Sequence, residues 1–237
     1  IQQGSQNNSL STHIKSFCCI QLQCPLQMTK AVDKPKDIVL GLSLLKIGQK
    51  DGKKFAFFLG QTQDLSKVNV LVRGKAAEFV KFAFRQVAMC VDEKPISSKW
   101  DENVDFLVHG VKVGQLAMVC VSSAGYPGAR AVRLMKQQLG DLFPKLPPKW
   151  METAADSQVV DISGFLGQFS LDKVSNVEVL QKELQETKLL MTENMNLILN
   201  RGDKLKDIVK DSEDLSQSAK EFLGETKKLK KCACFTL

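Results

Sequence analysis

Residues 177–229 determine the structure expected for the C-terminal part of this chain. Their sequence is VEVLQKELQETKLLMTENMNLILNRGDKLKDIVKDSEDLSQSAKEFLGETKKL. Its apolar side chains recur at spacings that alternate between three and four residues, which is typical of a helix in a coiled coil. We call these positions the seam: Val177, Leu180, Leu184, Thr187, Met191, Asn194, Ile198, Arg201, Leu205, Ile208, Ser212, Leu215, Ala219, Phe222, Thr226 and Leu229. Eleven of the sixteen are apolar, so residues 171–231 are predicted to form a long amphipathic helix that partners order along its seam.

One seam position carries a charge. Arg201 has seven seam positions before it and eight after it, so it lies almost at the centre of the seam. A buried Arg without acceptors costs several kcal/mol, whereas polar seam residues commonly fix register and oligomer state. From the periodicity alone, a solvated Arg on a loose coil and a register-setting Arg in a buried layer are both open, and the solvated Arg is the simpler interpretation.

The overall composition argues against several classes of protein. The chain has 237 residues, of which 43% are hydrophobic and 25% charged, as in an ordinary globular protein. Its net charge of +7 arises in residues 1–170, because residues 171–231 hold 12 basic and 12 acidic residues. We expect neither a nucleic-acid partner nor a membrane-spanning helix, since no aromatic residues interleave with the basic ones and no apolar run approaches ~18 residues.

The residues that usually carry catalysis or bind metals are sparse. Only two histidines are present, and the seven cysteines show no paired C-x-x-C spacing. The sequence contains no G-x-S-x-G motif, no phosphate-binding loop and no cluster of metal-ligand spacing. We therefore expect no catalytic residues, no metal site and no cofactor.

The residues before the seam have the pattern of an α+β domain. Residues 1–27 are rich in Gln, Asn and Ser, and we expect them to be an unstructured leader or a translation artefact. The domain itself is predicted over residues 28–165, with the order β-β-α-β-β-α and a mixed or antiparallel sheet flanked by helices. The predicted strands lie in residues 37–48, 53–61 and a hairpin over 103–123, the predicted helices in residues 73–93 and 124–143, and an ambiguous segment, a short helix and a linker, in residues 156–169.

The first predicted helix has an unusual outer face. On a helical wheel, one side is apolar, and the opposite side carries Lys75, Glu78, Lys81 and Arg85. Phe82 falls among these charges and Phe79 at their edge. Two Phe on an outward face are either covered by another segment of the same chain or offered to a partner, and both interpretations are open at this point.

The C-terminal residues 232–237 have the pattern of a lipidated tail. The chain ends Cys234-Phe235-Thr236-Leu237, a CaaX box whose final Leu favours geranylgeranyl over farnesyl. Cys232 is a second site for palmitoylation or prenylation. The basic residues just before it favour contact with anionic membrane lipid; they are Lys227, Lys228, Lys230 and Lys231.

These features together resemble a known family. The segment LQKELQETKLLMTENMNLILNRGDKLKDIVKDSEDL resembles the SNARE motif of an R-SNARE of the synaptobrevin class, and its Asn-Arg-Gly-Asp-Lys-Leu context is similar to the lipid-anchored Ykt-type members. The stretches AAEFVKF, VDFLVHGVKVGQLAMVCVSSAGYP and ARAVRLMKQQLGDLF resemble the longin (profilin-like) domain of the same proteins. The tail departs from that pattern, because Ala233 separates two cysteines that are usually adjacent.

The resemblance implies roles for particular residues and partners. It divides residues 166–237 into a linker and R-SNARE motif (166–231) and the lipidated tail. Arg201 would form the zero layer of a four-helix bundle with Qa-, Qb- and Qc-SNAREs, and the other seam positions would form the remaining layers. The longin domain would fold back on the motif through a groove at Phe79 and Phe82.

The implied function is fusion of intracellular vesicles with their target membranes. The implied location is the cytosol and the cytoplasmic face of Golgi, endosomal, vacuolar or vesicle membranes, including ER–Golgi transport. A prenyltransferase, the SNARE disassembly machinery and membrane lipids are further implied partners. The alternative is a longin-domain adaptor or small-GTPase regulator that uses the helix to dimerise.

Overall fold

The computed structural model describes residues 38–101, 104–170 and 205–226. It contains a five-stranded antiparallel sheet with the strand order β2-β1-β5-β4-β3. The strands are β1 (Val39–Lys50), β2 (Lys53–Gln63), β3 (Ile96–Asp101), β4 (Val104–Val113) and β5 (Leu116–Ser123). The helices are α1 (Arg73–Cys90), α2 (Gly128–Leu142), α3 (Leu205–Asp211) and α4 (Gln217–Thr226). The α+β class with helices on an antiparallel sheet is thus confirmed.

The two predicted hairpins form where the turn residues allow them. Between β1 and β2 the chain reverses through Asp51 and Gly52, whose φ angles are 53° and 75°. Positive φ at both central residues is the conformation that a two-residue hairpin favours, and an Asp-Gly pair adopts it readily. Gly114, with φ 60°, supplies a positive φ in the turn between β4 and β5.

Strand β3 was missed by the sequence prediction. Its residues ISSKWD lack the apolar alternation that marks a half-buried strand. The structure buries Ser97 and Ser98 nevertheless, and Ser97 is satisfied across the strand pair by the Nδ1 atom of His109 at 3.0 Å. The strand order along the chain is therefore ββαβββα, with β3 at one edge of the sheet.

The two long helices cover opposite faces of the sheet. Helix α1 packs with one side of the strands around Phe58, Val108 and Val119, and α2 packs with the other side around Leu44 and Met118. The central strands are consequently buried on both faces, which explains the unbroken apolar run LAMVCV in β5.

Close approach of α1 to the sheet depends on two glycines. A Cβ atom at Gly41 would lie 2.8 Å from Phe84, and one at Gly110 would lie 2.9 Å from Val87. Side chains at these positions would push the helix away from the strands.

The ambiguous segment over residues 156–169 is an extended stretch followed by a 3-10 helix. The backbone N–H groups of Ser157 and Val159 donate to the carbonyls of Phe58 and Leu59, both at 2.9 Å. The 3-10 helix Ser163–Phe169 follows, and the Tyr126 hydroxyl donates to the Phe169 carbonyl at 2.9 Å. The segment is thereby fixed along β2 and, at its 3-10 helix, against the α2 side of the domain.

The described part of the seam region is not one continuous helix. Helix α3 ends at Asp211 and α4 begins at Gln217, with a turn between them. The hydroxyl of Ser216 accepts a hydrogen bond from the Ala219 N–H at 3.3 Å, which caps the start of α4. The sequence prediction of one helix over residues 171–231 is therefore wrong for residues 212–216 in this conformation, because a capped turn replaces helical hydrogen bonds there.

Candidate functional site

The C-terminal segment packs directly on α1. We call residues 205–226 the docked segment. Leu215 and Ala219 are buried in the same core cluster as the α1 residues Phe79, Val80 and Ala83. Further apolar residues of the segment pack against this cluster while partly buried; they are Ile208, Val209 and Leu223. Removing this apolar surface from water is the main stabilising term for the contact.

Two polar contacts define the direction of the docked segment. Asp214 lies beside Arg85 in the last turns of α1, and the Ser216 N–H donates to the Glu78 carboxylate, two turns earlier, at 2.7 Å. From Asp214 to Ser216 the segment therefore runs antiparallel to α1, toward the N-terminal end of that helix.

Arg85 is the centre of a charge cluster formed by Lys81, Arg85, Asp156 and Asp214. Its guanidinium donates to Asp214 at 2.5 and 2.9 Å and to Asp156 at 2.8 Å. It also donates to the carbonyl of Ala56 and lies over the ring of Phe55, 4.4 Å from its centroid. The Lys81 ammonium is 3.5 Å from Asp214. One cation thus connects α1 and β2 to the segment after α2 and to the docked segment.

The cluster favours the charged forms of Arg85 and Asp156. Burial alone lowers the pKa of Arg85, but the hydrogen bonds to Asp214 and Asp156 outweigh it, and the net pKa is raised. Burial likewise raises the pKa of Asp156, and its hydrogen bonds from Arg85 and the Phe58 N–H reverse the effect to a lowered pKa. Paired charges of this kind are stable inside a protein only when their hydrogen bonds are made, as they are here.

A second, more exposed contact holds the turn after α3 near the β1–β2 hairpin. Lys50 donates to Glu213 at 2.6 Å, and the two side chains are 39% and 73% exposed. The Lys50 hydrogen bond lowers the pKa of Glu213. Beside this pair lies a cavity of about 620 Å³ with basic residues on the hairpin side and acidic residues on the α3 side. The lining includes Lys50, Lys53, Lys54, Asp207, Asp211 and Glu213.

Both Phe residues singled out on α1 are covered. The Phe79 ring centroid lies 5.2 Å from that of Trp100 and 5.3 Å from that of Phe106, and Phe82 lies 5.8 Å from Trp100. Phe79 and Phe82 are therefore packed against β3 and β4 of the same domain, in the cluster that also holds Leu215 and Ala219. The interpretation of Arg85 as an outward-facing charge is wrong, because the docked segment and Asp156 bury it.

Only part of the predicted site lies in the described residues. Leu215 and Ala219 face α1, while Ile208 and Ser212 are half-buried. For Leu205, Phe222 and Thr226 the backbone alone is described. Several predicted site residues lie outside the described residues: Arg201, predicted to form the zero layer, the seam from Val177 to Ile198, Leu229, the tail cysteines and the four tail lysines.

The polar contacts that hold the docked segment had no signal in the sequence. Arg85 and Asp214 are separated by 129 residues, and Glu78 and Ser216 by 138. No short motif connects residues so far apart. Asp214 is not a seam position, and in the sequence it looks like one more solvated charge of the acidic run in residues 211–214.

Comparisons with known proteins find relatives whose similarity spans both the N-terminal domain and the seam. A family model described as Synaptobrevin matches residues 176–236, which include the whole seam. VAMP-like protein YKT61 of Arabidopsis thaliana is 27% identical over 181 residues, covering 73% of this chain and 88% of that protein. Synaptobrevin homolog ykt6 of Schizosaccharomyces pombe is 28% identical over 171 residues, covering 71% of this chain and 86% of that protein. Synaptobrevin homolog YKT6 of Saccharomyces cerevisiae is 25% identical over 191 residues, covering 77% and 94%.

The chain carries a synaptobrevin domain, which the family model places at residues 176–236. Over most of its length the chain is similar to R-SNAREs of the Ykt6 type, and its N-terminal domain is longin-like.

Several properties of SNARE proteins bear on this chain. SNARE proteins are not enzymes and need no cofactor, as expected from the sequence. They act in vesicle trafficking at membranes by assembling with other SNARE proteins in a bundle. Among the helices of the described ranges, none combines the length and the hydropathy needed to span a membrane.

Proposed function

We propose that this R-SNARE exchanges between a closed state, held by its own longin domain, and an open state that joins three partner helices. The observation that supports this most directly is the burial of Leu215 and Ala219 against α1. Both are seam positions, and a side chain buried against α1 is unavailable to a partner helix. Docking and bundle formation therefore compete for the same residues.

In the open state, the seam zips with one Qa-, one Qb- and one Qc-SNARE helix, from Val177 toward Leu229. Burial of the apolar layers supplies the free energy. Arg201 occupies the central layer and donates hydrogen bonds to three Gln residues, one from each partner. The neighbouring layers at Ile198 and Leu205 exclude water from this contact. The position of Arg201 inside the matched SNARE motif supports the assignment.

A pull-down with the three Q-SNARE helices tests the role of Arg201. Wild type and a Lys204→Leu control, altered at a charge outside the seam, should assemble in one register and support fusion of reconstituted vesicles. Arg201→Leu should form bundles of mixed register, which cross-links between layers detect. If Arg201→Leu assembles in the same register and fuses vesicles as well as wild type, the register role is wrong. A stable homodimer that ignores all Q-SNAREs would instead favour the adaptor function.

The membrane anchor is proposed to be covalent lipid. Cys234 carries a geranylgeranyl or farnesyl group, and Cys232 carries a palmitoyl or a second prenyl group. A single chain of this kind gives only marginal binding, so two signals are needed for stable attachment. Intact mass spectrometry of the C-terminus from native cells tests this. We expect loss of Phe235-Thr236-Leu237 and added lipid mass, and an unmodified Cys234 with the last three residues retained would contradict it.

The closed state keeps the protein in the cytosol, and opening transfers it to Golgi, endosomal, vacuolar or vesicle membranes. After fusion, the SNARE disassembly machinery separates the bundle and the segment docks again. Phe79→Glu should shift the chain from cytosol to membranes, but this substitution also places a charge in the core beside Trp100. Asp214→Ala opens the same contact from the docked side and leaves the core intact. An unchanged cytosolic fraction for Asp214→Ala would contradict the mechanism.

A further inference from the structure

The loop that leads into α1 exposes two large apolar side chains. We call residues 64–72 the α1-entry loop. Val70 is 71% exposed and Leu71 is 86% exposed, the two highest values for large apolar residues in the described part of the chain. Adjacent apolar side chains at such exposure are costly in water, and they mark surfaces that meet another apolar phase.

Hydrogen bonds hold this loop in one conformation. Arg73 donates from its Nη2 atom to the carbonyls of Ser66 and Val68, each at 3.1 Å. The Leu71 N–H donates to the Asn69 side chain at 2.9 Å, and Val68 packs against the core beneath. The loop therefore presents Val70 and Leu71 outward on a rigid base, which lowers the entropic cost of inserting them into a partner phase.

The surroundings of the two apolar residues are basic. Lys67, Arg73 and Lys75 flank them in the sequence, whereas the nearest acidic residues are Asp64 before them and Glu78 after them. Arg73 and Lys75 also lie in the first turn of α1, which contains no acidic residue and where the helix dipole disfavours cations. An apolar tip with basic residues on both sides of it in the sequence complements an anionic lipid surface, in which headgroups neutralise the cations and acyl chains accept the tip.

The loop also lies at the end of α1 toward which the docked segment runs. Its Asp214 contacts Arg85 and its Ser216 contacts Glu78, so the segment runs in the direction of the α1 N-terminus. The four tail lysines follow α4 directly in the sequence.

From these observations we propose that the α1-entry loop is a membrane-contact element that binds anionic bilayers independently of the lipidated tail. Val70 and Leu71 enter the interfacial region, and Lys67 and Lys75 contact the headgroups. This goes beyond the exchange between closed and bundled states and does not depend on it.

The experiment uses the full chain produced without lipidation and vesicles of phosphatidylcholine with or without phosphatidylserine. We expect wild type to float with the phosphatidylserine vesicles and to dissociate at high salt. Val70→Ser combined with Leu71→Ser should lower binding about tenfold, because it removes the apolar contact. The matched control is Val113→Ser combined with Phe143→Ser, two exposed apolar residues outside the loop that line a cavity with Glu93, Lys112 and Lys136. This control should bind like wild type, and thermal unfolding should show that both variants fold.

Three results would overturn the proposal. If the chain binds neutral vesicles as well as phosphatidylserine vesicles, the basic residues do not contribute to binding. An unchanged loop variant, with binding lost when the four tail lysines become Ala, assigns the contact to the tail alone. If the chain binds no vesicles at all, the loop does not contact lipid, and a protein is the remaining partner for it.

A direct readout of insertion comes from Leu71→Trp. The native Trp100 and Trp150 are buried, so a vesicle-dependent blue shift and quenching by brominated lipid report on the new indole ring. We expect both signals with anionic vesicles. Emission from the new indole that stays typical of water while the protein floats would contradict insertion of the loop.

Discussion

At the residue scale, two neighbouring carboxylates of the docked segment have very different surroundings. The Asp214 side chain is 6% exposed and bonded to Arg85, whereas the Glu213 side chain is 73% exposed and bonded to Lys50. Exposed ion pairs contribute little to stability, while hydrogen bonds between buried charged groups contribute about 1.5–3 kcal/mol. The two residues therefore form a matched pair for testing what holds the segment in place.

We expect Asp214→Ala to weaken docking without unfolding the domain, because Arg85 keeps its contact with Asp156. Amide hydrogen exchange in residues 217–226 should accelerate about tenfold or more, as the opening free energy falls by about 1.5 kcal/mol or more. Glu213→Ala should leave the exchange almost unchanged. Equal acceleration in both variants would show that the charge cluster has no special role.

A second residue-scale expectation concerns the buried His109. Burial lowers its pKa to about 3, and its ring nitrogens are hydrogen-bonded to Ser97 and Ser122. The unfolded chain takes up a proton near pH 6.5, and the folded chain does not, so stability falls as the pH drops below about 6.5. Between about pH 7.5 and pH 5 the loss should be about 2 kcal/mol.

Urea denaturation at these two pH values measures that loss, with His109→Gln as the comparison. The variant should lose much less stability over the same interval, whatever its stability at the higher pH. Asp64 and Asp156, whose pKa values are lowered, affect stability only at more acidic pH, near and below about 4. Parallel pH profiles for variant and wild type would contradict the assignment to His109.

At the scale of elements, the sequence predicted what local patterns encode. The Asp51–Gly52 turn, the hairpin around Gly114 and both long helices follow from turn chemistry and apolar periodicity. Strand β3 was not predicted because Ser97 and Ser98 have the polarity of surface residues. They are buried only because His109 and the neighbouring strand lie beside them. The break between α3 and α4 was also not predicted, because the seam continues through Ser212 and Leu215 with unbroken spacing. Docking on α1 is a tertiary contact between distant segments, and no local pattern carries it.

The packing of α4 makes its two faces unequal. Ala219 is buried against α1, and Gln217 on the same helix is exposed. We expect Ala219→Glu to release the segment, because a buried carboxylate without a partner costs several kcal/mol. Limited proteolysis should then cut within residues 205–226, while the Gln217→Glu control, which adds the same charge on the exposed face, should resist cutting like wild type. Resistance of Ala219→Glu would mean that α4 does not stay docked in solution.

At the scale of the whole molecule, the proposed mechanism gives one set of side chains two mutually exclusive packings. Leu215 and Ala219 complete the α1 side of the longin domain in the closed state and belong to the bundle layers in the proposed open state. Variants at these seam positions damage both states and cannot separate them. Asp214 contacts the longin domain without belonging to the seam, so its substitution biases the exchange in one direction.

The measurement that tests this competition most directly is the rate of bundle assembly with Qa-, Qb- and Qc-SNARE helices. Wild type, Asp214→Ala and Glu213→Ala are mixed with the same three helices, and bundle formation is followed by fluorescence transfer between labelled seam neighbours. We expect Asp214→Ala to assemble about tenfold faster, because opening precedes assembly and becomes easier by about 1.5 kcal/mol. Glu213→Ala should assemble at the wild-type rate. Equal rates for all three chains would contradict the account, since the docked segment would then impose no barrier to the bundle.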